Sequence, residues 1–109
     1  MDEEHPKVLV YTWSKPYPIR TKNIKRTLTK LLNKGYNPEN IDIVFRVNDG
    51  WIHIYFNPEA NVWLWMHVAH DPIYASRHNI LNAYGSSGVV GETIDEILEF
   101  VKDNVEFDA

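Results

Sequence analysis

The stretch Trp51 to His70 constrains the fold of this chain more than any other. It reads as two runs, WIHIYF and VWLWMHV, joined by Asn57-Pro58-Glu59-Ala60-Asn61. β-Branched and aromatic residues fill both runs and turn formers fill the link, which predicts a β-hairpin. Successive side chains of a strand point to opposite faces of a sheet. Alternation then collects Ile52, Ile54, Phe56, Val62, Leu64, Met66 and Val68 on an aliphatic face. It collects Trp51, His53, Tyr55, Trp63, Trp65 and His67 on an aromatic one. Rings with polar handles suit a surface that binds something.

The rest of the chain supplies partners for this hairpin. Lys7–Ser14 (KVLVYTWS) reads as a first strand, and the prolines of Lys15-Pro16-Tyr17-Pro18 read as a loop. Thr21 is a candidate N-cap for a helix whose apolar stripe is Ile24, Leu28, Leu31 and Leu32 and which Gly35 ends. After a turn at 37–40, Ile41–Val47 alternates as a strand, and Asn48-Asp49-Gly50 signals a second hairpin. Ser76 is expected to cap a short helix reaching Tyr84, and Gly85-Ser86-Ser87-Gly88 is expected to be a loop. A final helix opens on a capping box, Thr93 with Glu96. Its buried stripe is Ile94, Ile97, Leu98, Val101 and Val105.

These elements predict an α+β fold, a two-layer sandwich in the order βαβββ(α)α. Its sheet is mostly antiparallel, of about four strands, with two main helices on one face. The opening βαβ unit is expected to be a right-handed crossover. Residues 7–107 form one domain, preceded by a flexible acidic stretch at 1–6. If the helices take the aliphatic face, only the segment Ile73–Tyr84 is left to cover the aromatic one.

Charge is divided along the chain. Between His5 and Pro38 stand eight basic residues and no carboxylate, whereas Glu92 to the end holds seven carboxylates and one lysine. The two helices therefore either attract each other or the first one meets a polyanion. With no cysteine there is no disulfide framework, thiolate site or thiol nucleophile. The acidic N-terminus lacks the look of a secretory leader, and the longest apolar run is far too short for a membrane span. A cytoplasmic protein without membrane contact is the expectation.

Several functional readings follow. The first is a non-enzymatic interaction protein that uses Trp51, His53, Tyr55, Trp63, Trp65 and His67 against a protein partner or a second copy of itself, as a homodimer or an inhibitor-like mask. The second is nucleic-acid binding by the basic helix 21–34, through Lys22, Lys25, Arg26 and Lys30, with bases stacking on the aromatic strands. The third is a metal site with hydrolytic activity built from His67, His70, Asp71 and His78, whose spacing matches no helical zinc pattern. Asp71, Ser76 and His78 are the residue types of a triad but lack a nucleophile elbow. Gly85, Gly88 and Gly91 precede a helix, as in a phosphate loop, yet Glu92, Asp95 and Glu96 would repel an anion there. No cofactor is implied, and the balance favours a binding role over an enzymatic one.

Overall fold

The structure, a computed structural model, describes residues 8–12 and 16–105. Trp13, the stretch 1–6 and the last residues of the expected 7–107 unit lie outside them. The described residues form one six-stranded antiparallel sheet and three α-helices. The strands are β1 (Val8–Tyr11), β2 (Pro16–Ile19), β3 (Asp42–Val47), β4 (Gly50–Asn57), β5 (Val62–Val68) and β6 (Tyr84–Gly91). Their spatial order is β2-β1-β3-β4-β5-β6. The helices are α1 (Ile24–Asn33), α2 (Pro72–Arg77) and α3 (Ile94–Asn104).

The α+β class, the meander β3-β4-β5 and both long helices are as the sequence predicts; the strand count of about four is too low. Two segments expected to be irregular are edge strands. β2 holds Pro16 and Pro18, which pair opposite Tyr11 and Leu9. An edge strand needs donors on one side only, so alternate prolines are tolerated there. β6 occupies the stretch expected to be a helix end and a glycine loop. The short helix starts earlier than expected, capped by Asp71, whose carboxylate accepts from Ile73 N and Tyr74 N, and not by Ser76. The long helix α1 is preceded by a tight turn at Thr21–Asn23, so Asn23 and not Thr21 is its N-cap residue. The crossover also differs from expectation. β1 is antiparallel to both β2 and β3, so α1 joins β2 to β3 across β1.

The largest correction concerns the faces of the central hairpin. Asn57 pairs with Val62, so odd-numbered residues of β4 stand opposite even-numbered residues of β5. Ile52, Ile54 and Phe56 therefore share a face with His67, Trp65 and Trp63. Trp51, His53 and Tyr55 share the other with Val68, Met66 and Leu64. The turn sets this register. The Asn57 side chain accepts from Glu59 N and Ala60 N, Asn61 N donates to Asn57 O, and Asn61 takes a left-handed φ of 58°. A slip of one residue would exchange the faces of a whole strand.

The helices take the face that holds the two tryptophans. Val8, Val10, Ile43, Phe45, Ile52 and Ile54 meet Ile24, Leu28 and Leu31 of α1 and Ile97 and Val101 of α3 in one core. Trp63 is 4% exposed in this core, and Trp65 lies against Phe100 of α3 with ring centres 5.6 Å apart. Each aromatic side chain hides about 150–250 Å² from water. That is worth about 4–6 kcal/mol gross per ring at about 25 cal/mol per Å². The register that buries these indoles is thus strongly favoured over its neighbour.

The glycines of β6 make room for this arrangement. A Cβ on Gly88 would lie 2.8 Å from Trp65 Nε1, and one on Gly85 would lie 2.8 Å from His67 Nδ1. Gly91 stands opposite Trp63. Three helix-side rings of β5 thus each face a glycine. Trp63 to His67 covers five residues where Gly85 to Gly91 covers seven, and β6 absorbs the two extra residues in its two register shifts. The Gly-x-x-Gly-x-x-Gly spacing is therefore a packing pattern of a bulged strand.

Candidate functional site on the second face of the sheet

The sheet face away from α1 and α3 carries the groups left for function. Cross-strand pairing arranges them in rows. Val44, His53, Met66 and Ser87 form one row, and Tyr55, Leu64 and Val89 another. Arg46, Trp51, Val68 and Tyr84 form a third, with the Arg46 guanidinium 5.9 Å from the centre of the Trp51 ring.

The segment from α2 to β6 crosses part of this face. One carboxylate fastens it down. Asp71 Oδ1 caps α2, while Asp71 Oδ2 accepts a 3.0 Å hydrogen bond from the Tyr11 hydroxyl on β1. Burial, followed by the Asp71 charge and that hydrogen bond, pushes the Tyr11 phenol up to about 12. His70 and Asn82 close the far end by exchanging two 2.9 Å bonds, N–H to Oδ1 and Nδ2–H to the carbonyl. Tyr11, Val44, Val68 and Ala75 are consequently buried. The all-aromatic face for which Ile73–Tyr84 is the expected lid does not form; the segment instead roofs one end of a mixed face and leaves the other end open.

Between lid and sheet lies a cavity of about 640 Å³. His53 and Asp42 stand in its wall, with His53 Nε2 2.8 Å from Asp42 Oδ1. The His53 and Tyr55 rings are 5.4 Å apart. Met66, Val68 and Ile80 make much of the remaining wall. Such a volume, apolar with a few polar groups, suits an inserted side chain or small molecule. Beyond its mouth the face is open. Leu81 is 96% exposed, Tyr84 72% and Val89 66%. Large apolar side chains this exposed and this close in sequence mark a surface made for contact.

The residues singled out in the sequence therefore separate. Trp51, His53 and Tyr55 lie on the second face. Trp63 and Trp65 lie under the helices, and His67 is on that same face of the sheet. His67 is wedged beside Gly85 and Gly50, and its Nε2 sits 3.3 Å from Asp49 Oδ1 without hydrogen-bonding geometry. The suggested metal ligands are also dispersed: His78 stacks on Tyr74 with ring centres 4.2 Å apart, and Asp71 is engaged on both oxygens. Among the described residues no three potential ligands form a cluster. The basic helix residues sit on the opposite layer from the second face. Lys22, Lys25, Arg26 and Lys30 are exposed, and Lys25 forms a 3.1 Å ion pair with Asp95 of α3. The charge division along the chain thus works in part as attraction between neighbouring helices.

Asp42, Leu64, Met66, Leu81, Tyr84 and Val89 belong to this site and were missed in the sequence. Alternation alone places Leu64 and Met66 on the aliphatic face; pairing of Asn57 with Val62 is the signal that moves them. Val89 and Tyr84 were hidden because a glycine-rich edge strand lacks strand composition. Comparison of the chain with known protein families, curated proteins and solved structures finds no match. No helix among the described residues is long and apolar enough to cross a membrane.

Proposed function

We propose that this chain is a non-enzymatic interaction protein that engages a second protein surface through the open part of its second sheet face, in the first place a second copy of itself. The observation that carries this reading is the exposure of Leu81, Tyr84 and Val89 beside half-buried Tyr55, Leu64 and Met66. A two-fold axis through this patch lets each copy cover the other's apolar side chains. An exposed tyrosine such as Tyr84 at the mouth of a cavity is an element from which interface hot spots are built, and Leu81 and Val89 add apolar area around it. The Asp42–His53 pair gives the floor one fixed polar anchor, which sets orientation more than affinity.

Sedimentation velocity across a wide concentration range tests the reading. Association of the wild type that is lost in Leu81→Asp and in Val89→Asp supports it. Both side chains point into water in the single chain, so the substitutions leave the core intact. A strict monomer at millimolar concentration, or a dimer indifferent to both changes, refutes it.

A further inference from the structure

The outer side of α1 and the edge strand β2 enclose a groove of about 470 Å³ that the proposed interface does not use. Arg26, Lys30 and Lys34 line it together with Tyr17, Tyr36 and Thr27. No carboxylate lines it among the described residues. The cations follow from helix geometry. Residues four apart recur on one side of a helix with about 6 Å of rise per step, so Arg26, Lys30 and the C-cap residue Lys34 form a stripe. Arg26 and Lys30 also border the neighbouring surface that holds Lys22 and Lys25, so the positive charge runs on past the groove. Arg26 is steadied by a 3.3 Å bond to Asn23 Oδ1, an uncharged acceptor that leaves its charge uncancelled.

The rings come from elsewhere than the sequence suggests. The aromatic strands β4 and β5 lie too far round the sheet to share a ligand with α1, being on its other face or beneath the core. Tyr17 sits instead on β2, the strand at the edge beside α1, and Tyr36 follows the helix end. Tyr17 is 38% exposed, enough for its ring to be reached from the groove. A row of cations with flanking rings and no competing carboxylate matches a chain of phosphates with unstacked bases. A duplex offers no free base faces to these rings. We infer that the groove between β2 and α1 binds a single-stranded nucleic acid, with phosphates along Arg26, Lys30 and Lys34 and a base against Tyr17.

Fluorescence anisotropy with labelled oligo(dT) and oligo(U), in steps from low to physiological salt, tests this on the full chain. Affinity should fall steeply with salt. In the triple variant Arg26→Ala, Lys30→Ala, Lys34→Ala the logarithmic salt slope should shrink by about 2, at about 0.7 per lost phosphate contact on a single strand. Alanine favours helix at these exposed sites, and circular dichroism checks that the variant is folded. Tyr17→Ala should weaken binding about fivefold or more while the salt slope stays unchanged. Lys102→Ala on α3 serves as the control and should change nothing. Four outcomes overturn the inference: no binding at low salt, tighter binding to duplex, heparin binding as tight as the oligonucleotides, or Tyr17→Ala without effect. Self-association is read separately by sedimentation, so either proposal can fail alone.

Discussion

Replacing Asp71 by alanine tests whether one side chain holds the lid of the second face. Two interactions disappear together. The α2 cap is worth about 1 kcal/mol. A hydrogen bond from a buried phenol to a carboxylate is worth about 1–2 kcal/mol once partial exposure of Asp71 is allowed for. The expected loss is about 2–3 kcal/mol, or a fall in Tm of about 8–12 °C for a chain of this size. Urea unfolding of wild type, Asp71→Ala, Tyr11→Phe and the double variant forms a cycle, and the pair should show a coupling energy of about 1 kcal/mol. The pH dependence gives a separate reading. The Tyr11 phenol lies at about 12 against an ordinary 10.0. Folding therefore favours the protonated form, and this contribution is complete below pH 10 and lost as pH rises toward 12. By pH 11 the wild type should lose up to about 1.4 kcal/mol more than Tyr11→Phe does, relative to pH 8. Equal losses in the two proteins, together with a cost below about 0.5 kcal/mol for Asp71→Ala, would show that the lid is held by other means.

Gly88→Ala should cost about 1–3 kcal/mol in chemical denaturation, because a Cβ there meets the indole of Trp65. The penalty should shrink in a Trp65→Phe background, and an equal penalty in both would contradict the packing account. Thr93→Ala should remove about 1 kcal/mol of stability through loss of the capping box. Backbone donation from Glu92, then the Thr93 hydroxyl and the Thr93 N–H, hold the Glu96 carboxyl below its ordinary value. The start of α3 should therefore lose amide protection only as pH falls below the usual glutamate range, and an NMR titration of Glu96 should move back up in Thr93→Ala. His53→Gln should alter the cavity while leaving the core intact, seen as shifts in the amides of Tyr55 and Met66 in a heteronuclear spectrum with unchanged unfolding by tryptophan fluorescence.

Local chemistry was legible wherever one element carries its own signal. The α1 stripe Ile24, Leu28 and Leu31 is buried as read, and Gly35 follows that helix with a φ of +102°. The Thr93–Glu96 box forms with both bonds in place. The hairpin at Asn48–Asp49 closes with Val47 opposite Gly50. These depend on residues a few positions apart, so periodicity and capping are enough to find them.

Which face of each strand met which was not local. Alternation holds within β4 and within β5, but the two strands pair one residue out of step with the faces that alternation alone predicts. That offset depends on how Asn57 to Asn61 turns and on which rings the helices gain most by covering. The candidate site inherited the error, so Trp63 and Trp65 went into the core while Leu64 and Met66 came to the surface. β2 and β6 were hidden for a related reason. Prolines and glycines argue against a strand taken alone, but an edge tolerates the first and the crowded rings of β5 require the second. The sequence by itself determined periodicity, caps and the charge of each helix, because these arise from neighbours along the chain. Tertiary structure decided register, edges and the open face, because these depend on which distant surfaces exclude water together.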